Sequence, residues 1–311
     1  MILITNATGF VGRALVRRLA ARQRQTCCLL QASRRAQQLP TGIIFSTVSA
    51  SMSDLPALRT AMQGVTAVVH LGGDVAPDQV ETLHSNAQDT ANLIEAVREV
   101  GIRRFIYLSR LGADRSSAYP FFRDAGEAEA VVRESDLDYT ILRAATTYGP
   151  EDVFTNVVAM LAKTFPYVLP IPDPGISRFQ PLWIVDLVEC IEAALDRDDL
   201  IGQTIPLGGP EHFTFEQLTL EILAALGLRR RLMHVRLPLM QGAIVLCDIL
   251  LPRTPTPLWW LDLLAVGSAT ELVTIQRHFG FEPHRLAACL DYLGRKRPWR
   301  RDLLRFAFRY D

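Results

Sequence analysis

Apolar residues along this chain recur with two alternating periods. Residues 2–5 form one continuous apolar or β-branched run, the pattern of a strand buried on both faces, and residues 13–22 carry apolar positions at helical spacing. The alternation continues. TCCLLQ (26–31) and GIIFSTV (42–48) predict a second and a third strand, and 55–62 a helix. TAVVHLGG (66–73) predicts a fourth strand ending in glycines, and 82–100 a long helix. RRFIYLSRLG (103–112) predicts a fifth strand, 121–134 a helix, and DYTILRA (138–144) a sixth strand. Strands separated by helices build βαβ units, so the expected fold is α/β, a Rossmann-type doubly wound parallel sheet. Such sheets bind ligands at the carboxyl ends of their strands, where Asn6 to Gly12, Gly72 and Ser109 fall.

After Gly149-Pro150 the pattern changes. Prolines cluster at 166, 170, 172 and 174, then a helix over 183–196 and the strand TIPLGG (204–209) return to the core. From Pro210 the chain is leucine-rich and mainly helical. The expected organisation is a dinucleotide-binding Rossmann domain over 1–150 with 182–209 returning to it. A smaller, mainly helical lobe follows over 151–181 and 210–293, and a basic amphipathic tail over 294–311.

Composition narrows the function classes. Formal net charge is zero, which removes any global pull toward nucleic acid. Five cysteines, none in a Cys-x-x-Cys pair, fit reduced thiols and a cytoplasmic setting. The first strand begins at Met1, so no presequence is expected. LPLMQGAIVLCDILLP is broken by Gln241 and Asp248 and bounded by prolines, too interrupted to span a bilayer. The charge is uneven, however. Seven arginines and no acid precede Asp54.

The chemistry starts in TNATGFVG (5–12). A loop that holds a pyrophosphate needs a tight turn after the strand, and backbone N–H groups aimed at the phosphates from the helix N-terminus. Gly9 and Gly12 keep the spacing, but Asn6 stands where the first glycine belongs. Asparagine is the next most tolerant residue for left-handed backbone, so the turn is expected to survive.

These residues also carry a family resemblance. TNATGFVGRALVRRL, VTAVVHLGG, NAQDTANLIEAVREVGIRRFIYLSRLGA, LDYTILRAATTYGP and SRFQPLWIVDLVECI resemble the atypical short-chain dehydrogenase/reductases. In particular they resemble the nucleotide-binding accessory subunits of respiratory complex I and their bacterial relatives. PLGGPEHFTFEQL and TELVTIQRHFGFEPHRLAACLDYL extend the likeness to about Leu293. The resemblance implies a nucleotide site made of Thr5, Asn6, Thr8, Gly9, Phe10, Val11 and Gly12, with Gln31, Ser33, Arg34 and Arg35 after the second strand. Ser51, Leu71, Gly72, Gly73 and Asn86 complete it. The family usually has an Asp near the adenine where Ser51 stands. An acid after the second strand would select NAD(H) through the ribose 2′-hydroxyl. None occurs there, and Arg34 and Arg35 suit a 2′-phosphate, so NADP(H) is favoured over NAD(H).

Enzymes of this family place a Tyr and a Lys one helical turn apart, near a Ser on the preceding strand. The Lys charge lowers the Tyr pKa for proton transfer. Aligned on LDYTILR, those positions are Phe121 and Ala125, with Ser109 before them. Neither can move a proton or supply a charge, so the expected site is degenerate. Tyr119 and Arg123 share the offset, but a two-residue shift turns a helix by about 200° and points them away. No Gly-x-Ser-x-Gly or His-Glu-x-x-His occurs, and the histidines are scattered, so no metal is expected. His70 ends a buried strand and reads as a core or cofactor-edge residue.

In the tail, Trp299, Leu303, Phe306 and Tyr310 form one helical stripe and Arg301, Arg305 and Arg309 another. Such a segment suits an anionic membrane surface or an acidic partner. The expected function is a non-catalytic accessory or assembly subunit of a respiratory or photosynthetic electron-transfer complex. It would hold its nucleotide structurally, at the inner face of a membrane. Two alternatives stay open: an NADP(H)-dependent reductase or isomerase with a different proton donor, and a nucleotide-sensing regulator.

Overall fold

A computed structural model describes residues 1–30, 39–72, 86–172, 175–250 and 259–294. Two compact units emerge. The first comprises 1–144, 184–207 and 274–281, and the second 145–183, 208–273 and 282–311.

The first unit alternates strand and helix: β1 (Ile2–Ile4), α1 (Phe10–Ala21), β2 (Thr26–Leu30), β3 (Ser46–Ser49), α2 (Leu55–Ala61) and β4 (Ala67–His70). It continues with α3 (Asn86–Val100), β5 (Arg104–Arg110), α4 (Pro120–Arg133), β6 (Asp138–Ala144), α5 (Ile184–Leu195) and β7 (Gln203–Leu207). The strands form one parallel sheet in the order β7-β6-β5-β4-β1-β2-β3. β1 is thus the point where the order reverses, and open sheets of this kind take ligands beyond the carboxyl ends of the strands there. Strand residues alternate between two buried faces. Leu3, Cys27, Val68 and Phe105 pack with Leu58, Leu93, Val97 and Val132 of α2, α3 and α4. α1 and α5 pack together elsewhere on the sheet.

Helix α5 also explains the acid-free start of the chain. Arg18 Nε donates to Glu192 Oε2 at 2.5 Å, and Arg24 Nη2 donates to Asp196 Oδ1 at 2.8 Å. Arg18, Arg22 and Arg24 are thus balanced by acids in and just beyond a helix some 170 residues later in the chain.

Two local expectations shift. The third strand begins at Ser46, because Cys27 pairs with Ser46 and leaves 42–45 outside the sheet with Ile44 94% exposed. The short helix Thr274–Phe279 belongs with the first unit and packs on α5 and β7, although its place in the chain suggested the C-terminal lobe.

The second unit has its own core. Tyr148, Phe154, Phe179, Phe215, Ile222 and Trp260 are buried together. A two-stranded parallel pair, Val168–Pro172 with Arg231–Val235, and the helices Phe154–Thr164 and Phe215–Ala225 frame it. Thr214 and Gln217 form a reciprocal capping box at the start of the second helix. Among the described residues, no helix is long and apolar enough to cross a membrane. The basic tail expectation over 295–311 lies outside the described residues.

Candidate functional site

β1 runs into Thr5, whose N–H donates to the Val69 carbonyl at 3.1 Å and so ties the turn to β4. Asn6 then adopts a left-handed backbone, φ 51°. The residue in place of the first glycine therefore takes the conformation that the turn demands. The Asn6 carbonyl accepts from Gly9 N–H at 3.0 Å, closing the turn. Gly9 is extended, φ −67° and ψ 174°, and α1 starts at Phe10, a turn earlier than periodicity indicates. No side chain caps this helix, and its first turn holds no acid. Helix N–H groups and dipole here suit an anion.

Gly12 is required for a different reason. A Cβ there would lie 2.4 Å from the Asn6 carbonyl oxygen and 2.7 Å from the Ala7 backbone. The helix is pressed directly onto the loop, which brings its N-terminus to the strand end. The expected nucleotide residues Thr5, Asn6, Thr8, Gly9, Phe10, Val11 and Gly12 thus form one contiguous turn, and Leu71 and Gly72 follow the adjacent β4. Ser51 is exposed after β3, with its hydroxyl 2.8 Å from that of Ser53. Asn86 opens α3. Gln31, Ser33, Arg34 and Arg35, expected to carry the choice between the two nucleotides, lie outside the described residues, as does Gly73.

His70 is a buried structural residue behind this turn. Its Nδ1 is 2.7 Å from Thr5 Oγ1 and its Nε2 3.0 Å from Thr90 Oγ1. The Leu71 N–H donates to the same Thr5 oxygen at 3.2 Å. Burial lowers the His70 pKa to about 4. An unfolded histidine titrates near 6.5, so between these values the unfolded chain binds the extra proton. His70 therefore contributes stability that is complete above about pH 6.5 and lost as pH falls toward 4. In the second unit, burial raises the Asp152 pKa to about 6, despite hydrogen bonds from Gly149, Thr155 and Tyr292. Its contribution has the opposite sign: present below the unfolded value near 3.9 and lost as pH rises through about 6. The His70 part is isolated by comparing wild type with His70→Asn in urea unfolding at pH 7 and pH 5. Wild type is expected to lose up to about 1.4 kcal/mol per pH unit relative to the variant. A constant difference at the two pH values would place the His70 pKa near its ordinary value.

Where the resemblance puts the proton-transfer pair, the geometry is closed. Phe121 and Ala125 are both buried on the inward face of α4. The Arg110 guanidinium lies 3.6 Å above the Phe121 ring centroid, and Phe122 meets that ring edge-on. Ser109, the third member of the expected degenerate site, is buried, 2% exposed, and its Oγ donates to Glu129 Oε1 at 2.6 Å. Glu129 also accepts from Arg143, Nε at 2.8 Å and Nη2 at 2.6 Å, and pairs with Arg133. The hydrogen bond to Glu129 raises the Arg143 pKa. Periodicity did not single out Glu129 or Arg143. The available signal was a Glu inside the small-residue run AGEAEAVV, four residues before Arg133. Arg123 is exposed on the opposite side of α4 and donates to the Ser117 carbonyl at 3.4 Å. Tyr119 precedes the helix as its N-cap residue, with its ring edge-on to Phe122.

Burial also governs the thiols. The Cys28 pKa is pushed up to about 12, and that of Cys190 is raised as well. Among the described residues, no three His, Cys, Asp or Glu side chains converge as a metal site.

A family model described as NAD(P)H-binding matches residues 7–163. The Arabidopsis thaliana mitochondrial "NADH dehydrogenase [ubiquinone] 1 alpha subcomplex subunit 9" is 29% identical over 269 residues, covering 82% of this chain and 65% of that protein. This chain spans a little less than two thirds of that relative's length. The "Photosystem II assembly factor Ycf39" of Synechocystis is 27% identical over 144 residues, 46% of this chain and 44% of that protein. The "Ceramide reductase" of Caulobacter vibrioides is 28% identical over 278 residues, 88% of this chain and 84% of that protein. A short-chain dehydrogenase/reductase superfamily protein from Agrobacterium tumefaciens, with bound NAD, superposes with a TM-score of 0.68 at 21% identity, covering 98% of both chains.

Proposed function

This chain belongs to the NAD(P)H-binding family, and from that premise we propose that it is a non-catalytic accessory or assembly subunit of a membrane electron-transfer complex. The observation that carries the reading is the contrast between its two sites. The β1–α1 turn keeps every backbone device of a dinucleotide loop, with Asn6 left-handed and Gly12 against the backbone. The proton-transfer position holds Phe121 under Arg110, Ala125, and a Ser109 committed to Glu129. A nucleotide bound here is structural. It orders the loops at the sheet's carboxyl edge and meets no side chain at 121 or 125 able to take up a proton. NADP(H) is the form we assign, from the acid-free end of the second strand with Arg34 and Arg35. The names of the Arabidopsis and Synechocystis relatives support a respiratory or photosynthetic complex as partner, and we place the chain at the inner membrane face. Segment 295–311, with seven basic and two acidic residues, supplies a contact to the complex or its anionic surroundings.

Fluorescence titration of the purified chain is expected to show tighter binding of NADPH than of NADH, with no hydride exchange on carbonyl or sugar-nucleotide panels. In native extracts the chain is expected to migrate with a large membrane complex, and deletion of 295–311 to release it with nucleotide binding intact. Equal affinity for the two nucleotides would remove the NADP(H) assignment. A soluble protein with turnover would remove the accessory role. The Caulobacter relative, matched over most of both chains, favours a second reading as a reductase. Stereospecific exchange abolished by Tyr119→Phe would establish that reading.

A further inference from the structure

The second unit carries an apolar surface that neither the nucleotide site nor the proposed tail contact uses. The helix Leu237–Leu250 reads LPLMQGAIVLCDIL, and Asp248 is its one charged residue. Ile244 is buried, and Leu237 and Met240 pack beside it against the second unit's core. These positions follow helical spacing, so the helix already has one docked face. Leu239, Val245, Leu246 and Ile249 remain exposed, at 67%, 42%, 56% and 74%. Together with the exposed Gly242 they recur at three-, four- and seven-residue spacing and make a second, entirely apolar stripe. A soluble helix would place polar residues there.

We infer that this stripe is a membrane-seating surface whose partner is an anionic lipid bilayer. Three observations select lipid as the occupant. The stripe has no hydrogen-bonding side chain, and an acyl-chain boundary asks for none, whereas a protein interface pairs its apolar core with a polar rim. Fourteen residues extend about 21 Å, too short to span a hydrocarbon core but suited to lying in its surface. The charge is complementary: Arg229, Arg231 and Arg236 are exposed immediately before the helix, and among the described residues no acid pairs with them. From 228 to 250 the sequence holds four arginines against one acid. Apolar insertion and headgroup attraction therefore come from one continuous piece of chain. The seating goes beyond the accessory-subunit reading, because it requires neither the nucleotide nor any protein of the complex.

The test is flotation of the full-length chain with phosphatidylcholine vesicles, with and without phosphatidylglycerol, beside the double variant Leu239→Glu/Ile249→Glu. Both substitutions sit at exposed positions, so the fold and nucleotide binding are expected to persist. Wild type is expected to float with the anionic vesicles, partly resisting high salt. The variant's partitioning is expected to fall by at least about tenfold. Environment-sensitive dye on exposed Cys247 is expected to shift to the blue with the same vesicles. Flotation of the variant equal to wild type would overturn the assignment to this helix, and so would absence of wild-type flotation. A concentration-dependent dimer that the variant abolishes, without flotation, would show a second copy of the chain covering the stripe and would overturn lipid as its occupant. None of these results depends on whether the chain enters an electron-transfer complex.

Discussion

Glu129→Ala is expected to be the most damaging single substitution in the first unit, costing ~3–5 kcal/mol in urea unfolding. The Glu129 side chain is fully buried, while Arg143 and Arg133 are 30% and 38% exposed. Truncation leaves the buried Ser109 hydroxyl without its acceptor and the half-buried Arg143 without its counter-charge. Much of the expected loss is thus the cost of stranded groups, not the worth of the ion pair itself. That distinction is measurable. A triple variant, Ser109→Ala with Glu129→Leu and Arg143→Met, removes the polar groups together and keeps most of the volume. It is expected to recover a large part of the loss. If it were no more stable than Glu129→Ala, the cluster would be contributing net favourable energy of its own. The same experiment bears on chemistry, because a Ser109 that serves Glu129 should be replaceable without any effect on nucleotide affinity.

Gly12→Ala is expected to weaken nucleotide binding by at least about tenfold and to lower stability by ~1–3 kcal/mol. The new methyl would sit 2.4 Å from the Asn6 carbonyl oxygen and 2.7 Å from the Ala7 backbone, and backbone atoms cannot swing aside as a flexible side chain can. Relief requires α1 to lift from the turn, which moves the helix N-terminus away from the phosphates. Asn6 supplies the internal control. At φ 51°, Asn6→Gly is expected to be tolerated in stability and binding, and Asn6→Val to be strained by about 1–3 kcal/mol. Unaltered nucleotide affinity in Gly12→Ala would show that the ligand does not lie on this helix end. Tolerance of Asn6→Val would show that the left-handed turn is not needed.

The turn between β1 and α1 was legible because its requirements are local. Spacing between Gly9 and Gly12 and the left-handed tolerance of Asn6 follow from backbone sterics within seven residues. The exclusion of proton-transfer groups at 121 and 125 is equally local, since Phe and Ala lack the chemistry in any environment. The fate of Ser109 was not legible. Its acceptor is twenty residues away on α4, and that carboxylate is held by an arginine on a different strand. Helix periodicity marks Glu129 as a polar residue on an apolar face and says nothing of what meets it there.

Alternation of strand and helix, the all-parallel sheet it implies and the turn at Asn6 are dictated by residue order alone, because steric preference and apolar periodicity act over a few residues. Partnership across the chain is settled only when the sheet closes. Pairing Cys27 with Ser46 sets the start of β3 and leaves Ile44 in water. The approach of α5 to α1 pairs Arg18 with Glu192 and, just beyond the two helices, Arg24 with Asp196. Packing of 274–281 on α5 and β7 assigns that segment to the first unit against its position in the chain. Burial between Thr5 and Thr90 decides that His70 stays neutral at pH values where a free imidazole would be charged. In each case the deciding energy is a contact or a desolvation between residues far apart in sequence, and no local pattern carries that information.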